Sequence, residues 1–423
     1  MNRRVLKKKF YQEVIYNVHG VRNSRVRIAL RFISLCFRAL GGALLTLVLV
    51  PISLFRPIEI WYLRSRRSKI SLMIEDLEWG LRNLQAHKLR EKVIVIAIYK
   101  LPFPNNQLAK MYRRVLFLLG VRQILLSKCL QFVLPIGRIS KKNPIERYEA
   151  MFNSWNQGSP SLSFTKKEKS LGRELEEKIF GDGIPPFVCF AIPSRKYKLA
   201  IDVPMNKYHG ELTDDQFSAI PSLESCRPAI QKLVASGIAV VRMGIFEEER
   251  LPDDLGPLVI DYAFDFHSEF GDLWLHSKCK FCFCAGGSGS HWFGAAFNQP
   301  VLMTDSNALR STFDIRDLFI PQRGWLTDEG RYLTFSEIGS SEFARDVELL
   351  KRGLQIVKNT PEEINEATTE MILRLAGKWE ETDEDRELQA RYRRVVDSFQ
   401  YQHRTPARMG AKFLREHQHL LPQ

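Results

Sequence analysis

The 423-residue chain is 45% apolar and 11% aromatic, which describes a folded protein with room for two domains and excludes a disordered one. Its net charge is +14, but residues 1–69 hold 15 Lys/Arg against Glu13 and Glu59 (+13), and the other 47 basic and 46 acidic residues sum to +1. A nearly neutral body argues against nucleic acid as a partner. Seven cysteines, an odd number with several in apolar runs, suit reduced thiols better than a disulfide framework.

The first element in chain order is Ala39–Phe55, ALGGALLTLVLVPISLF, with seventeen residues and no charge. A full membrane span needs about 20 apolar residues, and Pro51 is expected to kink or break the helix. Arg25, Arg27, Arg31 and Arg38 precede the run; Arg56, Arg64, Arg66, Arg67 and Lys69 follow it. Positive charge marks the cytoplasmic side. A shallow or re-entrant helix bent at Pro51 keeps both flanks there; a single span and a buried core helix are the alternatives. No small-residue cleavage site follows, so a signal peptide is not expected. The expectation is a membrane partner bound through residues 1–69, at the cytoplasmic face of the inner (cell) membrane.

Residues 70–89 read as a helix, KVIVIA (92–97) as a short buried strand, and 111–129 as helix and strand. Residues 141–178 are polar and read as a linker. From Pro185 strands and helices alternate. The strands are 187–192, 238–243 (stopped by Gly244), 258–261, 280–284 and 301–304; the helices are 222–236 (closed by Gly237), 270–277 and 288–298. Charged helices over 362–376 and 384–399 end the chain. The alternation predicts an α/β fold with a parallel, doubly wound sheet, whose ligands sit outside the carboxyl ends of the strands.

The densest chemistry is FCFCAGGSGSHWFGAAF, Phe281–Phe297. Cys279, Cys282 and Cys284 form C-x-x-C-x-C, yet strand alternation turns Cys279 away from the other two, and His291 is the only nearby fourth ligand. Small core residues are the favoured reading, and no metal is expected. Gly286-Gly287-Ser288-Gly289-Ser290 approaches the G-x-S-x-G nucleophile elbow but puts serine where the last glycine belongs, which keeps a serine esterase using Ser288 open. Neither a Walker A loop nor G-x-G-x-x-G occurs. What remains is strand, AGGSGS, helix. Glycines permit close approach, and first-turn amides with the Ser288 and Ser290 hydroxyls can accept a diphosphate without metal. A tight turn with an ordinary serine cap is the equal alternative.

VASGIAVVRMG, VIDYA and HSKCKFCFCAGGSGSHWFGAAFNQPVLMTDSN, in that order, resemble a family of bacterial glycosyltransferases associated with surface polysaccharide or glycan synthesis. The tail agrees: NTPEEI (359–364), LAGKW (375–379) and ARMGAKFL (407–414), as does RPIEIWYLRSRRSKISLMIEDLEW (56–79). The likeness covers most of residues 187–423. It implies a GT-B-like fold: two facing Rossmann-like domains with parallel sheets, preceded by an N-terminal membrane-associated helix. The expected division is 1–69 for membrane association, 70–180 for an acceptor-side domain, 185–355 for a nucleotide-sugar domain, and 356–423 for helices packing back across both.

Residue by residue, the resemblance carries over Arg242 and Gly244 at the R-M-G strand end, Asp261 and Tyr262 in I-D-Y-A, the turn Gly287, Ser288, Gly289, Ser290, and Asn307 after the P-V strand. His291 is a further donor-site candidate. Tyr208-His209 resembles a Y-H of relatives. One stretch departs: relatives carry His, Arg and Asp after the strand equivalent to FVCFAI, where this chain reads Ala191-Ile192-Pro193-Ser194-Arg195.

Glycosyl transfer requires cations and helix-end amides at the departing diphosphate and a base at the acceptor hydroxyl. The Ser288–Ser290 turn and Arg242 are expected in the first role, since Arg binds two phosphate oxygens at once; His209 is expected in the second. The expected reaction is metal-independent and cofactor-free. A nucleotide-sugar is the donor substrate, and a glycan or lipid-linked molecule the acceptor. A catalytically degenerate membrane-bound scaffold is the alternative.

Overall fold

A computed structural model describes residues 24–63, 69–100, 102–121, 129–130, 132–142, 155–181, 183–194, 196, 220–245, 249–286, 288–306, 312, 314–340, 347–398 and 405–422. Helix α1, Ser24–Phe55, leads into a four-stranded sheet of β1 (Ile58–Tyr62), β2 (Ile94–Lys100), β3 (Phe117–Val121) and β4 (Ile139–Lys142). All pairs are parallel and the order is β3-β2-β1-β4. IEIWY and IVIAIYK are rich in β-branched and aromatic residues, as strands covered on both faces require. Helices α2 (Ile70–Ala86) and α3 (Asn106–Tyr112) follow β1 and β2.

This domain begins inside the stretch assigned to membrane association, because β1 is the central strand. Glu59 disguises it in the sequence; in the fold that carboxylate accepts the Trp61 indole N–H at 2.8 Å. The helix also continues past Pro51 to Phe55 instead of breaking. Its C-terminal half is held by packing: Leu45, Leu49 and Val50 lie on the cluster of Ile58, Ile60, Ile98, Leu130, Val133 and Ile139. Ser53, fully buried, donates to the Val50 carbonyl at 2.8 Å.

Residues 155–178 of the region read as a linker are also structured. Trp155 and Leu162 are buried, and α4 (Lys166–Phe180) starts with a capping box in which Thr165 and Glu168 satisfy each other's amides. Glu168 also takes Gln107 and Arg114 of the first domain. A Cβ at Gly172 would fall 2.1 Å from the Trp274 ring, so only glycine lets α4 seat on the second domain.

The second domain is built on β5 (Phe187–Ala191), α5 (Leu223–Ala235), β6 (Ala239–Arg242), β7 (Val259–Ile260), α6 (Tyr262–Asp265), α7 (Glu269–His276), β8 (Cys282–Ala285), α8 (His291–Ala296), β9 (Val301–Ser306) and β10 (Leu318–Pro321). A small antiparallel sheet follows, β11 (Arg323–Leu326), β12 (Arg331–Tyr332) and β13 (Leu354–Val357), with α9 (Phe335–Ser340) and α10 (Val347–Lys351) between the last two. Helices α11 (Pro361–Leu375) and α12 (Asp383–Asp397), strand β14 (Arg408–Met409) and helix α13 (Ala411–Glu416) close it. The main sheet is parallel throughout, in the order β14-β10-β9-β8-β5-β6-β7. The two parallel sheets make two Rossmann-like domains. Helix α11 packs on α5, β9 and β10, while α12 packs on α9, α13 and β14. Among the described residues these C-terminal helices thus pack on elements of the second domain.

The domains meet along a dry seam. Arg82 of α2 is fully buried; it pairs with Glu78 at 3.0 Å and donates to the carbonyls of Trp155 (3.1 Å), Ala295 (3.4 Å) and Ala296 (3.2 Å) and to Asn298 Oδ1 (2.5 Å). Its guanidinium stacks 4.1 Å from the Trp155 ring, and Trp79, Trp155 and Trp292 meet edge-on around it.

Candidate functional site

In the main sheet the chain starts at β5, adds β6 and β7 on one side, then returns to place β8, β9 and β10 on the other. The order reverses between β5 and β8, and the strand ends splay apart there to leave a crevice. A cavity of about 470 Å³ occupies this place. Segments following β5 (Pro193, Ser194), β6 (Gly244, Ile245) and β8 (Ser288, Gly289, Ser290) line it. The first domain closes it with Ile70, Pro104 and Asn105, which follow its own β1 and β2. The carboxyl ends of both sheets thus face one space.

The turn after β8 is forced by glycine. Gly286 has φ +68°, and a Cβ there would lie 2.6 Å from Pro221 Cδ. Its neighbour Ser290 sits 2.8 Å from His276 Nε2 by its Oγ, and His276 Nδ1 sits 2.6 Å from the Asp272 carbonyl. A carbonyl only accepts, so Nδ1 carries the proton and Nε2 accepts from the Ser290 hydroxyl. Burial pushes the His276 pKa down, which keeps the ring neutral.

His267 lines the same cavity in the opposite electrostatic state. Its Nε2 lies 3.4 Å from Asp272 Oδ2, the ring is a third exposed, and the Asp272 carboxylate raises its pKa. One cavity therefore holds two histidines driven apart in basicity, the pattern that separates acid and base roles. Glu269 ties the walls together: its carboxylate accepts the Asn106 side-chain N–H at 2.9 Å and backbone N–H at 3.1 Å, and its carbonyl accepts from Asn105 at 3.0 Å.

Of the residues singled out from sequence, Gly244, Ser288, Gly289 and Ser290 line the cavity. Arg242 and Asp261 do not. They form a bidentate pair, Nε–Oδ1 2.8 Å and Nη2–Oδ2 2.7 Å, with Nη1 donating to the Glu249 carbonyl and Asp261 also accepting from Leu251 N–H. They stand at the ends of adjacent strands, where each neutralises the other. Tyr262 is buried packing, its hydroxyl donating to the Ser268 carbonyl at 3.0 Å. His291 is buried and bonds the Ser288 carbonyl through Nδ1 at 2.6 Å, holding the turn from behind. His209, Gly287, Asn307 and Arg195 lie outside the described residues.

Sequence reasoning missed His267, Asp272 and His276. A signal existed: Asp272 and His276 are four apart on a helix that was read correctly, hence on one face. The cysteine pattern also resolves differently. Cys279 and Cys282 place their thiols 3.8 Å apart in the core, because Cys279 precedes the strand and escapes its alternation. Among the described residues, Glu363, Glu416 and His417 converge closely enough for a metal, but Arg323 already pairs with Glu363 at 3.2 Å and none of the three lines the cavity.

No family model and no curated protein matches the chain. Among solved structures it is similar to a glycosyl transferase family 9 protein from Veillonella parvula DSM 2008, at 9% identity over 61% of this chain and 83% of that one, with a TM-score of 0.37. It is also similar to the iron-containing dodecameric glycosyltransferase TibC from enterotoxigenic E. coli H10407, at 11% identity over 60% of each chain, TM-score 0.29. A TibC structure in complex with ADP-D-beta-D-heptose matches at 13% identity over 61% of this chain and 60% of that one, TM-score 0.29. The chain spans about three fifths of TibC's length in both.

Proposed function

We propose that the protein is a glycosyltransferase that moves a sugar from a nucleotide-sugar donor to a glycan or lipid-linked acceptor, without metal or cofactor, in cell-surface polysaccharide synthesis. The observation that carries this reading is the cavity at the switch point of the second sheet, roofed by the first domain and walled by the Ser288–Ser290 turn and the His267–Asp272 pair. The turn meets the donor diphosphate with backbone N–H groups and the Ser288 hydroxyl, and these stabilise the charge that builds on the leaving group. His267, oriented by Asp272, takes the proton of the acceptor hydroxyl; a raised pKa suits a base working near neutrality. Helix α1 keeps the enzyme at the cytoplasmic face of the cell membrane, where a lipid-linked acceptor resides.

The Ser290–His276 bond favours one second reading, a serine hydrolase with Ser290 rather than Ser288 as nucleophile. Such a histidine must become an imidazolium in the transition state. His276 is fully enclosed and backed by a neutral carbonyl, which opposes that charge. Incubating the full chain with a panel of nucleotide-sugars and a membrane-lipid acceptor extract separates the readings. Nucleotide release that requires acceptor supports the transferase; labelling of Ser290 by a fluorophosphonate without nucleotide release supports the hydrolase.

A further inference from the structure

We infer that α1 lies along the membrane surface and does not cross the bilayer. Its outer face and the adjoining Leu134 and Ile136 are seated among anionic lipids, and the first domain stands directly on them. This rests on the membrane association proposed above and adds its geometry.

The 24 residues Phe32–Phe55 are long and apolar enough to cross a bilayer by length and composition, but Arg38 lies within them and their second half is tied to the first domain. Residues 24–40 carry Arg25, Arg27, Arg31 and Arg38 and measure about 25 Å at 1.5 Å per residue, short of the ~30 Å hydrocarbon core. Arginine at bilayer depth is expensive. The uncharged half is instead committed to the first domain. A Cβ at Gly41 would lie 2.6 Å from Cys129 Sγ, and one at Gly42 would lie 2.5 Å from Phe132 Cβ, so the two glycines let the backbones touch. The Leu134 amide donates to Thr46 Oγ1 at 2.9 Å, and Arg138 reaches the Leu54 carbonyl at 3.4 Å. Pulling this half into hydrocarbon would drag the non-helical backbone of 132–138 with it, which the bilayer core does not tolerate where lipid contacts it.

Along 41–55 the two faces of the helix differ, whereas Phe32, Ile33, Leu35, Phe37 and Leu40 are exposed around its first half. Gly42, Thr46 and Ser53 are buried or backed by protein, at helical spacing. On the other side Leu44, Leu47, Val48, Leu54 and Phe55 are exposed, Leu47 at 71% and Phe55 at 87%. Leu134 and Ile136, which run beside Thr46 and Ser53, add two more exposed apolar side chains. A contiguous apolar surface of this kind on a soluble domain marks an interaction site. Its occupant follows from charge: residues 1–69 are +13, so an anionic lipid surface complements it.

The test uses the full chain with an epitope tag at each end, synthesised in the presence of sealed inverted membrane vesicles and then treated with protease. We expect both tags to be digested together. A protected N-terminal tag would show a span and overturn the flat geometry. In parallel, purified full chain is sedimented with phosphatidylcholine vesicles, with and without phosphatidylglycerol. Expected are binding that is about tenfold tighter with phosphatidylglycerol and weakens with salt, and a loss of about tenfold in Leu47→Asp/Leu54→Asp at unchanged melting temperature. Absence of sedimentation with either vesicle would overturn the membrane association itself, and unchanged binding of the double variant would overturn the assigned face.

Discussion

Helix α8 has two ends that the protein treats in opposite ways. Its last turn, the carbonyls of Ala295 and Ala296, is closed by the buried Arg82 guanidinium, which brings charge to the negative end of the helix. Its first turn opens, through Ser288–Ser290, into the interdomain cavity. Every helix leaves unsatisfied N–H groups at one end and carbonyls at the other. Here Arg82 closes the carbonyl end at the seam, while the other end, where the Ser290, Trp292 and Phe293 N–H groups meet Ser288 Oγ and the Gly289 and Ser290 carbonyls, faces the cleft. The contrast separates what holds the two domains together from what they hold between them, and four substitutions or conditions test it.

The largest effect belongs to the seam. Arg82→Met leaves Glu78 charged, with only the Tyr112 hydroxyl at 3.2 Å and the Ser161 amide at 3.3 Å for company. The expected loss in denaturant unfolding is about 3–5 kcal/mol, the penalty of an uncompensated buried charge. Adding Glu78→Gln should recover part of it; a single variant as stable as the parent would remove Arg82 from its structural role.

At the cleft the effects should fall on rate and leave stability nearly alone. His267→Asn is expected to lower turnover about a hundredfold or more, the usual worth of a positioned base, with a melting temperature that matches the parent's at alkaline pH. If turnover survives, the base is elsewhere. Ser288→Ala/Ser290→Ala should cost about 10–100-fold through weakened stabilisation of the leaving group; an effect on stability alone would return this turn to ordinary capping.

The smallest effect is the pH dependence of the His267–Asp272 pair. Asp272 raises the folded-state pKa of His267 above the unfolded value. The stability it contributes is complete below the unfolded value of about 6.5 and is lost as pH rises through the folded one. Melting curves of the parent and His267→Asn should therefore differ most below about pH 6.5 and converge at alkaline pH. A difference that grows with pH would contradict the pairing.

The second domain was legible from sequence because its strands are short apolar runs, two of them stopped by Gly244 and Gly286 and one preceded by the helix-closing Gly237, and its sheet position followed from alternation. Short antiparallel strands such as Arg331–Tyr332 carry too few residues for a period to show. Helix α4 looked like a polar linker because charged residues dominate it; its apolar contacts come from Leu175, Ile179 and Phe180, and Gly172 against Trp274 carries no hydrophobic signature. In the site the glycine-serine turn was readable as a local motif. The mutual neutralisation of Arg242 and Asp261 was not, since it depends on β6 and β7 being neighbours. His267 escaped for the same reason: a lone loop histidine gains meaning only when Asp272 and the cavity stand beside it.

The most direct test is calorimetric titration of the full chain with UDP, GDP, ADP and CMP, repeated on Ser288→Ala/Ser290→Ala. The account predicts that one nucleotide binds the parent and that the double variant, equally stable, binds it about tenfold or more weakly. Binding of none, or equal binding by parent and variant, would contradict the assignment of the cleft to a nucleotide-sugar.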